Sequence, residues 1–357
     1  MSVRACEVYR LAFDTGSDGG NEIIRDPCGV ASGRGQLRGV ASHLTAPELP
    51  MTAAPLFARL AALAVFAALT VPTPARAQPA DAPNHTRTEN VVYGERDGNA
   101  LVLDVLTPKK PNGAGVIIFI SAEYRSGRTL LKWFQATLTP FVDRGFVVFA
   151  VMHGSQPKYT VPEIVADAHR AVRFVKHNAK KYGVDPDKIG ATGGSAGGHL
   201  ALMTGCAGKP GNPKAEDAVE RPSSKVAAVA CLFPPSDFPA LEKILSKDVA
   251  PAFDFREYDA TTCKYERVSP ERRREIAREL SPLTHASKDT VPTFIIHGDA
   301  DKVVPIEQSK ALIAKLNECG ATCKLKVAPE MPHAGVWLFK ELPFLADWFE
   351  THLLGKK

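Results

Sequence analysis

The sequence predicts an α/β protein with a mainly parallel central sheet that is flanked by helices on both faces. Two observations lead to this fold class. Short, continuous apolar runs recur along the chain, which is typical of strands buried on both faces. Segments with helical periodicity lie between these runs, and this alternation favours parallel strands joined by crossover helices.

Seven segments have the character of strands in this sheet. The first alternates apolar and polar side chains, and the others are short and mostly apolar. They are Leu101–Leu106, Gly115–Ile120, Gly145–Val151, Ile189–Thr192, Val226–Phe233, Pro292–His297 and Lys324–Val327.

Helical periodicity is clearest in three segments that follow these strands. Pro162–Tyr182 places its apolar side chains on one face, and Pro162 suits the first turn of a helix. Ile306–Glu318 is amphipathic and is closed by Gly320. Val336–Leu353 is predicted to be the terminal helix.

Two polar, proline-rich segments interrupt this rhythm, at residues 208–222 and 238–287. We interpret both as insertions over the carboxyl edge of the sheet, where ligands bind in open α/β folds. There they would form a small cap that shapes a substrate pocket. The alternative is a solvated helical excursion that makes no functional contact.

The bulk composition is that of a globular protein. The 357 residues are 45% apolar and 23% charged, with a formal net charge of +5 and no long basic block. This charge gives no support to nucleic-acid binding.

Residues 51–77 are typical of a secretory signal peptide. Arg59 supplies a positive charge, Leu60–Val71 is an almost wholly apolar run, and Ala75–Ala77 forms a small-x-small cleavage pattern before Gln78. The alternative is a short membrane anchor, but the run is short for a membrane span. We therefore expect export to the periplasm or the extracellular space, with no stable membrane span after cleavage.

A signal peptide belongs at the start of a protein, yet residues 1–50 precede this one. They are rich in Gly, Ser and Arg and show no sustained periodicity. We interpret them as a mis-annotated leader with translation starting at Met51, and the alternative is a long disordered leader. Residues 78–357 would then form a single α/β domain.

Export changes how the cysteines are interpreted. Cys206 and Cys231 lie in apolar segments and resemble small buried hydrophobic residues. Cys319 and Cys323 flank a Gly-Ala-Thr turn, so a small disulfide loop and two unpaired thiols are both open at this point. The cysteine spacing does not match a structural zinc site, and no metal is expected.

The segment Gly193–Gly198 is predicted to carry a nucleophilic serine. It lies between the predicted strand Ile189–Thr192 and a helical segment that starts at His199. Serine at the tip of such a sharp turn sits in strained backbone, and small neighbours let the chain pass without a Cβ clash. We expect Ser195 to be the nucleophile, with the N–H of Ala196 as one donor to an oxyanion.

A serine hydroxyl needs a base within hydrogen-bond reach, and the base needs an acid to orient it. Asp299 and Asp301 follow the predicted strand Pro292–His297, and His333 follows the last strand. Both groups therefore belong to loops at the carboxyl ends of strands.

Three segments resemble the acetyl esterase, carboxylesterase and feruloyl-esterase-like branch of the α/β-hydrolase superfamily. They are Gly193–Gly198, His297–Pro305 and Asp185–Ile189, and the likeness runs from about residue 92 to residue 353. The resemblance implies the α/β-hydrolase fold. It assigns the acid to Asp301 and the base to His333, although Glu330-Met331-Pro332 precedes His333 where the family usually has Gly-x-Gly.

The same resemblance exposes a departure in the loop that follows the third strand. The family usually has His-Gly-Gly-Gly-Trp there, and this chain has Ile120-Ser121-Ala122-Glu123-Tyr124. The N–H of Ala122 or of Glu123 would have to provide the second oxyanion donor. Because glycine permits conformations that Ala and Glu resist, this loop is the uncertain part of the site.

The expected function is a secreted serine hydrolase that cleaves carboxylic esters through an acyl-enzyme. The resemblance points to short-chain acyl esters or acetylated or feruloylated carbohydrate, with no cofactor. One alternative is a peptidase of the prolyl-oligopeptidase type, although the chain has no room for the usual propeller domain. Another is a non-catalytic binding protein on the same fold, suggested by the altered loop.

Overall fold

The computed structural model describes residues 84–244, 255–259 and 261–356 of this chain. The predicted leader (1–50) and signal peptide (51–77) lie outside the described residues. None of the helices in the described part of the chain is long and apolar enough to cross a membrane.

A central sheet of eight strands organises the molecule, and a two-stranded sheet follows its sixth strand in sequence. The strands are β1 His85–Arg96, β2 Asn99–Pro108, β3 Gly115–Phe119, β4 Val147–Met152, β5 Ile189–Thr192, β6 Ala228–Leu232, β7 Arg256–Asp259, β8 Lys264–Arg267, β9 Thr293–Gly298 and β10 Cys323–Ala328. The helices are α1 Arg128–Trp133, α2 Gln135–Asp143, α3 Val161–His177, α4 Ala179–Tyr182, α5 Ala196–Cys206, α6 Phe238–Ile244, α7 Pro270–Glu279, α8 Pro282–His285, α9 Glu307–Glu318 and α10 Leu338–Leu354, with a 3₁₀ turn at Ala218–Glu220.

The strand order in the central sheet is β1-β2-β4-β3-β5-β6-β9-β10. Strand β2 is antiparallel to both of its neighbours, and all the other pairs are parallel. The predicted mainly parallel sheet is therefore confirmed. Strand β1 was not predicted, because its edge position leaves half of its residues exposed and its sequence is correspondingly polar.

Side chains of the buried strands alternate between two hydrophobic cores, one on each face of the sheet. On β3, Val116 and Ile118 pack in the core covered by α2 and α10, whereas Ile117 and Phe119 pack in the core covered by α3, α5 and α9. Helices on both faces were predicted and are confirmed. The predicted helix 162–182 is divided at Asn178 into α3 and α4.

A buried ion pair fixes α3 against the sheet. The carboxylate of Asp167 accepts hydrogen bonds from the Arg96 guanidinium at 2.7 Å and from the Gly154 N–H at 3.0 Å. The contacts join the edge strand β1, the loop after β4 and α3. Asp167 therefore has a structural role, because it holds these three segments together.

Only one of the two predicted cap segments lies at the carboxyl edge. Residues 238–287 follow the carboxyl end of β6, as expected, and contain α6 to α8. The placement of residues 208–222 was wrong. Helix α5 starts at the carboxyl end of β5 and returns towards the amino end of β6, so this segment lies at the opposite edge. There Arg170 of α3 pairs with Asp217 at 2.8 Å and with Glu220 at 2.9 Å.

Candidate active site

Ser195 occupies the turn between β5 and α5 with a backbone conformation that is rare for a side-chain-bearing residue. Its φ is 53° and its ψ is −123°, and its N–H donates to the Leu232 carbonyl at 3.0 Å. The flanking glycines are sterically required. A Cβ on Gly193 would lie 2.5 Å from the Gly197 backbone, and one on Gly197 would lie 2.4 Å from the Phe119 carbonyl oxygen. The turn therefore has the form of a nucleophile elbow.

His333 and Asp301 lie in line with the serine hydroxyl. Nε2 of His333 is 3.0 Å from Oγ of Ser195, and Nδ1 is 2.7 Å from Oδ2 of Asp301. Asp301 is on the loop after β9 and His333 on the loop after β10, so adjacent parallel strands bring them together. A carboxylate only accepts hydrogen bonds, so Nδ1 carries the proton and Nε2 is left to accept from the serine.

The carboxylate of Asp301 is held in its ionised form. Burial would raise its pKa, but hydrogen bonds from His297 and His333 and from backbone N–H groups outweigh it and lower the pKa well below the ordinary value. Oδ1 accepts from the N–H groups of Val303 and Val304 at 2.8 and 2.9 Å. The second oxygen is thereby directed at His333.

His297 and Asp299 support this loop without reaching the serine. Nε2 of His297 donates to the Val304 carbonyl at 2.8 Å, and its Nδ1 accepts from the Ser309 hydroxyl at 2.7 Å. Oδ1 of Asp299 accepts the Glu330 N–H at 2.6 Å, which ties the loop of Asp301 to the loop of His333. These contacts tether and brace the loop that carries Asp301.

The loop that replaces the glycine run forms a tight reverse turn, which we call the oxyanion turn (Ala122–Arg125). Ala122 and Arg125 exchange both of their backbone hydrogen bonds, at 3.0 and 2.8 Å, and the two residues between them have positive φ values of 51° and 59°. This pattern is a two-residue turn of type I′. The N–H of Ala122 is consumed by the Arg125 carbonyl, so Ala122 was wrong as a candidate oxyanion donor.

The N–H of Glu123 remains available. Among the described residues it has no hydrogen-bond acceptor, and the same holds for the N–H of Ala196 at the start of α5. The Glu123 side chain is 79% exposed, and its carboxylate is 4.0 Å from the Arg125 guanidinium. A carboxylate that pointed into the site at this position would repel a developing oxyanion. In the structure this charge points to solvent and faces a cation.

Tyr124 and His199 anchor the oxyanion turn to the body of the protein. The Tyr124 hydroxyl is 3.0 Å from Nδ1 of His199, and Nε2 of His199 is 2.7 Å from the Leu280 carbonyl oxygen. A carbonyl only accepts, so Nε2 carries the proton and Nδ1 accepts from the tyrosine. Complete burial lowers the pKa of His199 to about 4, which keeps the ring neutral.

The ring of Phe238, at the start of α6, completes this cluster. Its centroid lies 4.8 Å from that of His199 and 6.4 Å from that of Tyr124. The cap segment thus contacts Tyr124 of the oxyanion turn through Phe238, and it contacts His199, the partner of Tyr124, through the Leu280 carbonyl. Nothing in the local sequence signals this arrangement, because Tyr124 and His199 are 75 residues apart.

An apolar cavity of about 320 Å³ opens beside Ser195 and His333. Its walls come from β3, β6, α2, α10 and the oxyanion turn. Phe233 also lines the cavity, and its ring centroid lies 4.5 Å from that of His333. The nucleophile, the His333 imidazole and Glu123 therefore belong to one concave site, and Ala196 directly follows the nucleophile in the chain.

The disulfide between Cys319 and Cys323 that the sequence left open does not form, and both thiols are unpaired. The Cys319 thiol points to the Ala286 carbonyl at 3.7 Å, whereas the Cys323 thiol points to the Asn317 amide oxygen at 3.2 Å. The two side chains thus extend from the turn in different directions. Cys206 and Cys231 are also unpaired.

Comparisons with known proteins agree on one class of relatives. A family model described as BD-FAE matches residues 103–316. The esterase LipC of Mycobacterium tuberculosis is 28% identical over 274 residues, which are 74% of this chain and 64% of LipC. The probable carboxylic ester hydrolase LipM of the same organism is 28% identical over 181 residues, 51% of this chain and 40% of LipM. The chain thus spans about two fifths to two thirds of these curated relatives.

Solved structures with a similar fold are also esterases. A truncated carbohydrate esterase from gut microbiota has a TM-score of 0.61 at 25% identity, covering 76% of this chain and 99% of that structure. A thermophilic esterase from Thermogutta terrifontis with bound butyrate has a TM-score of 0.59 at 26% identity, covering 75% of this chain and 94% of that structure. These structures and the strand order together identify an α/β-hydrolase fold.

Proposed function

The chain belongs to the BD-FAE family of α/β-hydrolases, and we propose that it is a serine esterase that hydrolyses carboxylic esters. One observation carries this proposal. A continuous chain of hydrogen bonds runs from Oγ of Ser195 through the His333 ring to the Asp301 carboxylate, at the carboxyl edge of the sheet. This arrangement turns a weakly nucleophilic hydroxyl into an attacking group.

In the first half-reaction, Oγ of Ser195 attacks the ester carbonyl carbon while its proton moves to Nε2 of His333. The imidazolium that forms is stabilised by the ionised Asp301. Collapse of the tetrahedral intermediate expels the alcohol, which takes the proton back from Nε2. Water then attacks the acyl-enzyme with His333 acting as base again, and the carboxylic acid is released.

The negative charge on the tetrahedral intermediate requires fixed donors. We assign these to the N–H groups of Ala196 and Glu123, which have no other acceptor among the described residues. Glu123 lines the cavity, and Ala196 directly follows Ser195. Glycine is not needed at position 123, because the type I′ turn already holds the backbone in the left-handed region. The free Glu123 N–H supports catalysis over a purely binding role for this chain.

The alcohol portion of the substrate is proposed to be a small molecule or a carbohydrate. Carbohydrate is supported by the printed description of the gut carbohydrate esterase, which is similar over nearly its whole length. Export is proposed on the sequence pattern of residues 51–77 alone. Mass spectrometry of the protein recovered from culture medium or periplasm tests it, with a mature N-terminus at Gln78 expected and an intact residue 51 contradicting it.

Hydrolysis of p-nitrophenyl butyrate, together with labelling by a fluorophosphonate probe, tests the esterase proposal. We expect turnover and labelling in the native protein, and a loss of at least about a thousandfold in kcat with no labelling in Ser195→Ala. Ser223→Ala is the matched control, because Ser223 contacts the Lys209 carbonyl in the segment at the opposite edge of the sheet. A folded protein that neither hydrolyses esters nor reacts with the probe would overturn the proposal.

A further inference from the structure

We propose that the apolar cavity beside Ser195 binds the acyl group of the substrate, and that this group is an unbranched aliphatic chain of medium length. The inference rests on the esterase function proposed above and adds its substrate class. It differs from the acetyl and feruloyl groups that the sequence resemblance suggested.

The cavity leaves the catalytic centre between the sheet and two helices. Ile118 of β3 and Leu232 of β6 form its sheet side, and Phe141 of α2 with Leu342 and Leu345 of α10 form its helix side. These five side chains are between 1% and 7% exposed and belong to the hydrophobic core on that face. The space therefore extends from the serine into the interior and is not confined to the surface under the cap.

The walls offer almost nothing for a polar group to bind. Among the described residues that line the cavity, Glu123 is the one acidic or basic side chain besides His333, and it points to solvent. The Thr137 hydroxyl already donates to the Phe134 carbonyl at 2.7 Å. The buried Ser121 hydroxyl, which has no hydrogen-bond partner among the described residues, is a single polar group in this lining. A sugar or a carboxylate would lose more hydrogen bonds to water here than this one hydroxyl can replace.

The volume separates a medium-length chain from an acetyl group. At about 30 Å³ for each water-sized group, a cavity of about 320 Å³ holds roughly ten such groups. An acetyl methyl would leave most of it empty, whereas a chain of about eight carbons fills most of it. Burying each further methylene is expected to raise kcat/KM about fourfold, which corresponds to ~0.8 kcal/mol.

The surface around the opening is apolar as well. Val303, which lines the cavity, is 46% exposed. Val336 and Phe339 are 85% and 50% exposed, and they neighbour the lining residues Ala334 and Leu338 in sequence. Exposed apolar side chains near the opening are unfavourable in water unless they contact something apolar. They suit an aliphatic chain that approaches the serine.

The test is a series of p-nitrophenyl esters from acetate to hexadecanoate, with p-nitrophenyl ferulate as a further arm, on the purified exported form. We expect kcat/KM to rise at least tenfold from acetate to octanoate, to peak between six and ten carbons and to fall for longer chains. Equal or better hydrolysis of acetate or ferulate would overturn the inference while leaving the esterase function standing. Failure of every ester, together with failure of fluorophosphonate labelling, would instead overturn the proposed function.

Two variants locate the specificity in the cavity. Thr137→Phe and Leu342→Trp each fill the space from the helix side, and each should lower the octanoate-to-acetate ratio of kcat/KM at least tenfold. Thr139→Phe is the matched control, because Thr139 lies on the same helix but is exposed and does not line the cavity. Titration with the fluorophosphonate counts the folded sites of every variant. An unchanged ratio in a variant that titrates normally would exclude the cavity as the acyl site.

Discussion

Replacing Glu123 by glycine separates the backbone of the oxyanion turn from its side chain. The N–H that we assign to the oxyanion remains in Glu123→Gly, whereas the carboxylate and the Cβ are removed. Glu123 has a φ of 51°, a conformation that costs a side-chain-bearing residue about 1–2 kcal/mol. Glycine relieves this strain but loses about 0.5–1 kcal/mol through its freedom in the unfolded chain. We expect the free energy of unfolding to stay the same or to rise by about 1 kcal/mol.

The effect on catalysis follows from the exposure of the side chain. The carboxylate is 79% exposed and lies 4.0 Å from the Arg125 guanidinium, and such exposed pairs are worth at most about 1 kcal/mol. That energy corresponds to a change of about fivefold in kcat/KM. Loss of an oxyanion donor would instead cost about 10²–10³. We expect Glu123→Gly to keep its activity within fivefold or to raise it.

The assay is kcat/KM for one p-nitrophenyl ester in the native protein, in Glu123→Gly and in Glu123→Gln. The glutamine variant removes the charge and keeps the strained backbone and the Cβ. A loss of about a hundredfold or more in both variants would show that the carboxylate itself acts in catalysis. A similar loss in the glycine variant alone would show that the turn does not hold its N–H in place without a side chain. Either result refutes the assignment of the donor as we have made it.

Three further predictions follow from other parts of the structure. Tyr124→Phe leaves the buried acceptor Nδ1 of His199 without its donor, so urea denaturation should show a free energy of unfolding about 1–3 kcal/mol lower. The variant should also have a lower kcat and a nearly unchanged KM. Native-like stability together with a native-like kcat would contradict the anchoring role. Iodoacetamide should alkylate Cys319 and Cys323 without prior reduction, as peptide mass spectrometry would detect, and protection of both would indicate a disulfide. The free energy of unfolding should fall as the pH drops from about 6.5 towards 4, by up to about 1.4 kcal/mol per pH unit for each buried histidine. Burial lowers the pKa of such a histidine below its value in the unfolded chain, so protonation favours unfolding. Urea titrations that give equal stability at pH 7 and pH 5 would refute this. The histidines concerned are His153, His169 and His199, with pKa values lowered to about 4, about 3 and about 4.

The sequence predicted best those site residues whose position depends on chain order and on the ends of strands. Ser195, Asp301 and His333 each follow a strand of the parallel sheet directly, so their convergence at one edge follows from the topology. The glycines around Ser195 report a steric requirement, and the structure contains the corresponding close contacts. The mainly parallel sheet was predictable for a related reason, since its strands are buried on both faces and therefore continuously apolar.

What escaped prediction depends on backbone dihedral angles and on long-range contacts. In the type I′ turn the Ala122 N–H donates to another residue of the turn. The sequence Ser-Ala-Glu-Tyr does not predict positive φ values at two consecutive residues that carry side chains, Glu123 and Tyr124. Residues 208–222 have the polar composition of a cap, but composition carries no information on which edge of the sheet a connection follows. The pairing of Tyr124 with His199 links two distant segments that have no common local signal.

The Leu280 carbonyl that accepts the hydrogen bond from Nε2 of His199 is a main-chain group. Any amino acid at that position offers the same oxygen. The sequence of the cap can therefore change there without weakening the support of the oxyanion turn, provided that the backbone follows the same path. Substitution and displacement in this segment thus have different consequences. New side chains leave the hydrogen bond to His199 in place, whereas a shifted backbone would remove it and disturb the oxyanion turn. Laboratory evolution of this enzyme should therefore accumulate point substitutions in the cap readily and reject insertions close to residue 280.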